Sequence, residues 1–214
     1  MPMFLRNDHL SAAALCALAA LSATSACAAA ESSSLPGESA PPSISVTAES
    51  EPGRKLLVEG TLYAPDGETL APGVVLYVYQ TGLDGRYSPV GGIPRLRGYM
   101  KTDANGRYSY RTIRPGSYPN TTIAAHIHTQ AWGAGYEPQW NRDLNFADDP
   151  FVSENQKRDS AAAGRFAWIC DAKPDADADG EGGLLRCTHN LRLKPRGDYF
   201  ESNTRHGLDG AASE

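Results

Sequence analysis

Apolar and polar positions alternate over short stretches of this chain, and the stretches are separated by turn residues. Residues 44–48 alternate over a short run. Residues 55–63 are mostly apolar and stop at a turn signal, Pro65, Asp66 and Gly67. Residues 74–79, Val-Val-Leu-Tyr-Val-Tyr, are dense in strand formers and predict a buried strand. Residues 99–102 and 107–113 flank Asp103-Ala104-Asn105-Gly106, a hairpin signal. Residues 121–129, 165–170 and 184–193 complete the strands, and residues 153–163 predict one helix with Ser153 as its cap. Repeated short strands with glycine-rich turns predict an all-β fold, a sandwich or barrel with at most one short helix.

The ends read differently. Residues 1–30 combine Arg6, a weak apolar run and a string of small residues, the pattern of a secretory signal peptide. Two cleavage readings compete: an ordinary cut before Glu31, or a lipoprotein cut that would leave a lipidated Cys27 as the first mature residue. Residues 31–42 are Ser, Pro, Gly and Glu with little apolar content, which predicts a flexible tether. The folded domain is expected over residues 43–200, and residues 201–214 as a disordered tail. The expected location is exported: periplasmic, membrane-anchored or secreted.

Composition narrows the function. A net charge of −5 with mixed signs gives no electrostatic footprint for nucleic acid. Only Cys170 and Cys187 lie beyond the leader. In an exported protein such a pair predicts a disulfide, the alternative being two buried thiols. Between them, Asp175, Asp177 and Asp179 resemble the start of a calcium loop. Arg186 stands where its last carboxylate is needed, so a solvated loop is the expectation.

The candidate chemistry sits in residues 113–129. His126 and His128 share one face of a strand, with Ile127 on the other. Two adjacent imidazoles suit a metal ion. Tyr118 lies in a stiff Pro-Gly-Ser-Tyr-Pro turn, and Tyr87 follows the turn Leu83-Asp84-Gly85-Arg86. Two phenolates and two imidazoles are a donor set for ferric iron, because phenolate is a hard anionic oxygen that loses its proton on binding metal.

These segments resemble the intradiol ring-cleavage dioxygenase family, in particular the β-chain type of protocatechuate 3,4-dioxygenase. The similarity is carried by Asp84-Gly85-Arg86-Tyr87, by residues 102–119 from Thr-Asp-Ala-Asn-Gly to Pro-Gly-Ser-Tyr-Pro, and by Ala125-His126-Ile127-His128. It extends more weakly through Phe146-Ala147-Asp148-Asp149-Pro150. The resemblance implies a β-sandwich with long loops that holds non-haem Fe(3+) on Tyr87, Tyr118, His126 and His128. It implies a catechol-type substrate and O2 as partners, and ring opening between the two hydroxyl-bearing carbons to a cis,cis-muconate. It also implies Tyr118 as the catalytic residue that leaves the metal and takes up a substrate proton, and a homo-oligomer.

The chain departs from the family beyond the ligands. Ile123 stands where the family carries an arginine beside the substrate ring. Gln139 is the nearest match to a glutamine expected on the following strand, and Arg95, Arg97 and Arg114 are candidates for the missing charge. Tyr77, Tyr79, Tyr108 and Tyr110 read as core or face residues, Trp132, Trp140 and Trp168 as packing residues, and His189 and His206 as surface residues. Two alternatives to the dioxygenase stay open: a non-catalytic metal- or catechol-binding module, and a zinc or copper site on the same histidines.

Overall fold

The alternating runs fold into strands because each can bury one face, and the order of the elements decides against which partner. The computed structural model describes residues 35–89, 92–174 and 183–209. Along the chain these form β1 (Ser43–Ser45), β2 (Lys55–Tyr63), β3 (Val75–Gln80), β4 (Leu96–Lys101), β5 (Arg107–Ile113), β6 (His126–Gly133), β7 (Tyr136–Trp140) and β8 (Leu144–Phe146). They continue with α1 (Glu154–Ala162), β9 (Ile169–Cys170), β10 (Lys173–Pro174), β11 (Leu185–Thr188) and β12 (Leu191–Arg192).

Among the described residues the strands make two sheets. One runs β1-β5-β2-β11-β10, with β12 also on β2, and the other β4-β3-β6-β8-β9, with β7 also on β6. The inward faces meet in one core. Leu56, Val58 and Leu62 of β2 and Tyr108 and Tyr110 of β5 pack with Leu76 and Val78 of β3 and Ile127 and Ala131 of β6. The two-residue period sorts these side chains from their neighbours on the opposite face of each sheet. The all-β sandwich with one short helix is the predicted class.

The second sheet is buried on both faces, and this corrects both predicted ends. Every residue of β3 is buried. Its outer face carries an aromatic cluster of Val75, Tyr77, Tyr79 and Trp132, which needs a cover of its own. Residues 35–42, expected as tether, supply part of it: the Trp132 indole donates to Pro36 O at 3.1 Å, and Lys101 Nζ donates to Glu38 O at 2.9 Å. Residues 31–34 lie outside the described residues. The expected tail supplies the rest. Ser202–Gly207 form a 3-10 helix, with Tyr99 Oη donating to Gly207 O at 2.9 Å and Gln130 Nε2 to Thr204 O at 2.6 Å.

Several boundaries also move. The strand expected over 121–129 starts at His126, because Ala125 N donates to the Asp149 carboxylate and not to a neighbouring strand. The strand expected over 165–170 is reduced to Ile169–Cys170 by a 3-10 turn at Gly164–Phe166. The strand expected over 184–193 breaks at His189 and Asn190. β7 and β8 were hidden from pattern reading by their polar, charged and proline content. The helix forms with Ser153 as cap and Gln156 closing a capping box.

His189 is not a surface residue. It is fully buried, its carbonyl accepts the Tyr108 hydroxyl, and burial drives its pKa down to about 4. The predicted disulfide joins Cys170 of β9 to Cys187 of β11, so it ties one sheet to the other. The acidic stretch with Asp175, Asp177 and Asp179, and Cys27 in the leader, lie outside the described residues.

Candidate metal centre

The site grows from the outer face of β6. His126 and His128 project outward while Ile127 is buried in the core. Tyr79 stands opposite His128 on β3, and the rings stack with centroids 4.6 Å apart. Each imidazole is oriented through its Nδ1. That of His126 donates to Ala124 O at 2.7 Å, and that of His128 to Asp143 Oδ1 at 2.9 Å. With both protons on Nδ1, both Nε2 atoms present lone pairs.

The two tyrosines arrive on interlocked loops. Gly116 N donates to Gly82 O at 3.0 Å, and Thr81 Oγ1 to Gly116 O at 2.7 Å. Gly85 has φ +74, and a Cβ there would lie 1.9 Å from Ser117 O. A side chain at Gly116 would lie 2.3 Å from Leu83 O. Only glycine allows the two backbones to approach this closely. Asp149 then ties the Tyr118 loop to the start of β6. Its carboxylate accepts from Ser117 Oγ at 3.0 Å and Ala125 N at 2.9 Å, neighbours of Tyr118 and His126.

The result is a convergence of four donor atoms. Tyr87 Oη lies 2.8 Å from His128 Nε2, and Tyr118 Oη lies 3.1 Å from His126 Nε2. The two phenol oxygens are in direct contact, and the two Nε2 atoms are 3.0 Å apart. Two lone pairs at that separation repel unless positive charge lies between them. Phenolic protons spent on the nitrogens leave none between the two oxygens. The donor set fits a cation, and two phenols and two imidazoles fit ferric iron. Burial pushes the pKa of Tyr87 and Tyr118 up and that of His126 down. Phenolates in this desolvated place therefore need a compensating cation.

Asp143 brings a carboxylate within 4.8 Å of both imidazoles. It bonds the Nδ1 edge of His128, the far side of the ring from Nε2, so it orients that histidine and is not a fifth donor of the converging set.

The centre opens into a cavity of about 610 Å3, bordered by Tyr79, Trp140, Asp143, Arg142 and His206. Tyr87, Tyr118 and His128 are part of its wall. The four predicted ligands are thus brought together, and the predicted supporting residues are not. Ile123 is half exposed and does not border the cavity. Arg95 pairs with Glu51, Arg114 pairs with Asp148 over the Phe146 ring, and Arg97 donates to Pro94 O. Gln139 is buried and accepts from Lys194 N at 2.6 Å, away from the centre. Arg142 and Asp143 were missed; they lie in the short connection between β7 and β8, where no motif marks them. His206 is corrected from surface to cavity wall. Its Nδ1 meets Tyr77 Oη at 2.8 Å, and burial lowers its pKa to about 4.

Known proteins are similar to this chain over much of its length. The family model described as "Dioxygenase" matches residues 33–195. The chain is 32% identical to chlorocatechol 1,2-dioxygenase of Pseudomonas putida over 95 residues, 40% of this chain and 36% of that one. It is 27% identical to the protocatechuate 3,4-dioxygenase β-chain of Burkholderia cepacia over 47% of this chain and 48% of that one. The chain therefore matches less than half the length of these curated relatives. Among solved structures, catechol 1,2-dioxygenase from Acinetobacter sp. ADP1 superposes with a TM-score of 0.55 at 26% identity, covering 72% of this chain and 58% of that one. The dioxygenase domain of a carbohydrate-binding fusion from Streptomyces sp. SirexAA-E gives 0.53 at 26% identity, covering 72% and 89%. With a family match spanning most of the domain, and a tyrosine–histidine centre on the outer face of its second sheet, the chain belongs to the intradiol dioxygenase family.

Proposed function

We propose that this protein is an exported, non-haem Fe(III) intradiol dioxygenase. Its ligands are Tyr87, Tyr118, His126 and His128. It opens a catechol-type ring between the two hydroxyl-bearing carbons with O2, giving a cis,cis-muconate. The observation that carries the reading is the convergence of two phenol oxygens with two imidazole Nε2 lone pairs held 3.0 Å apart, on the wall of a cavity. The named relatives, which are catechol and protocatechuate dioxygenases, support the same substrate class.

The chemistry supplied by a bound ferric ion is Lewis acidity toward the two catechol oxygens, which leaves the ring open to oxygen. The chain does the rest. Asp143 and Ala124 O hold both imidazoles in the tautomer that keeps Nε2 free. Tyr118 Oη, on the cavity wall, is the base that takes a proton from a substrate hydroxyl. Tyr79 and Trp140 exclude water from the ring-binding space, which strengthens each polar interaction there. Export is supported by the leader's composition and by the Cys170–Cys187 disulfide, a bond of oxidising compartments.

The visible spectrum of the ferric-loaded chain tests this reading. A broad charge-transfer band is expected, shifting when catechol is added without oxygen and bleaching as a muconate appears when oxygen is admitted. A protein that stays colourless with ferric iron would sink the four-ligand site in favour of zinc or copper. A coloured catechol complex that persists in oxygen would mark a binding module without turnover, the reading favoured by Ile123 standing outside the cavity.

A further inference from the structure

A second cavity, of about 480 Å3, adjoins the first. Trp140, Asn141 and Arg142 border both. The second is bordered by three cationic side chains, Arg142, Arg192 and Lys194, and by no acidic one. In a chain of net charge −5 that is an uneven local field. Lys194 is neutralised by Asp198 at 2.6 Å. The two arginines are not. The Arg142 guanidinium lies 3.8 Å from the Trp168 ring centroid and that of Arg192 lies 5.5 Å from the Phe166 ring. Among the described residues neither has a carboxylate partner. A guanidinium stacked by its face keeps its N–H edge free, and that edge fits a carboxylate. Both polar atoms of the buried Asn141 side chain on the shared wall also lack a hydrogen-bond partner.

We propose that this basic cavity is the subsite for an acidic side chain on the ring: the substrate is a catechol whose substituent ends in a carboxylate, received by Arg142 and then Arg192. The inference rests on the dioxygenase reading of the neighbouring centre. The direction of the substituent follows from the layout. Arg142 borders the same cavity as Tyr118 and His128, so a ring seated at the four donors presents its substituent to that guanidinium. Arg192 lies one cavity further on. A short apolar substituent gains nothing from either residue, and a chain of several atoms reaches both.

The test compares dihydrocaffeate, a catechol with a propanoate side chain, with its uncharged methyl ester on the iron-loaded full chain, using methylcatechol as control. A guanidinium–carboxylate hydrogen bond predicts that kcat/KM favours the acid by at least about tenfold. That ratio should fall to near one in Arg142→Gln and by at least about threefold in Arg192→Gln, with Arg192→Lys keeping part of it. The loss in each variant is read relative to its own kcat/KM for methylcatechol, which carries no carboxylate. Binding calorimetry with the acid and the ester should give the same order without turnover. Equal kcat/KM for acid and ester in the parent, or a preference that survives both glutamine variants, overturns the subsite. If no catechol is turned over and calorimetry still shows an acid preference that both variants remove, the dioxygenase reading fails and the anion subsite stands.

Discussion

Asp143 Oδ1 accepts a hydrogen bond from His128 Nδ1 at 2.9 Å, and this one contact decides which nitrogen of His128 faces the two tyrosines. The carboxylate lies on the opposite edge of the ring from Nε2. It therefore acts on the centre through the imidazole, by fixing its tautomer and raising its basicity.

Replacing Asp143 with alanine should accordingly weaken metal binding by about 10- to 100-fold while leaving the fold intact, since the residue is partly exposed. Titration of the charge-transfer band with ferric iron would measure this. An unchanged affinity would mean that His128 is held by its stacking on Tyr79 alone.

Gly85→Ala places a methyl group against Ser117 O and demands a left-handed backbone of a residue that disfavours it by about 1–2 kcal/mol. The loops bearing Tyr87 and Tyr118 must then separate. We expect a folded sandwich with an intact core but a weakened or lost charge-transfer band. Circular dichroism and the visible spectrum, read side by side, distinguish local from global damage.

The Cys170–Cys187 bond closes 17 residues of chain and joins the two sheets. Reduction, or the double serine variant, should lower stability by about 3 kcal/mol on the chain-entropy account. The outcome is read from denaturant midpoints with and without reductant. A shift confined to the oxidised parent, and absent from the double serine variant, identifies the bond as the cause.

His189 links stability to pH. Its folded-state pKa is depressed to about 4, against about 6.5 for an exposed histidine, because burial penalises the charged ring. The unfolded chain thus takes up this proton first. Its contribution is unchanged above pH about 6.5, and stability falls through the window down to about 4, by about 3 kcal/mol in all. Urea unfolding between those pH values should show this loss in the parent and a smaller one in His189→Leu, compared as slopes with pH.

The legible part of this protein was local. The apolar run over 55–63 and the hairpin flank over 107–113 matched β2 and β5, because a stretch of strand formers and a turn signal each act over a few residues. The cap at Ser153 and the four site residues were readable for the same reason: a turn, a cap and a His-X-His pair each depend on neighbours a few residues away. The remainder depended on distant contacts. Nothing local marks residues 35–42 or 201–209 as structure; they are ordered because the aromatic outer face of β3 and β6 must be covered. Nor does sequence spacing reveal that Asp143 would orient His128, that His206 would reach the cavity wall, or that Arg142 and Arg192 would border one basic cavity. The sequence by itself determined the class of fold and marked the four candidate donors, through short-range pattern and chemistry. Only the tertiary structure decided which charges and hydrogen bonds surround those donors, because that follows from how two sheets and their loops close on one another.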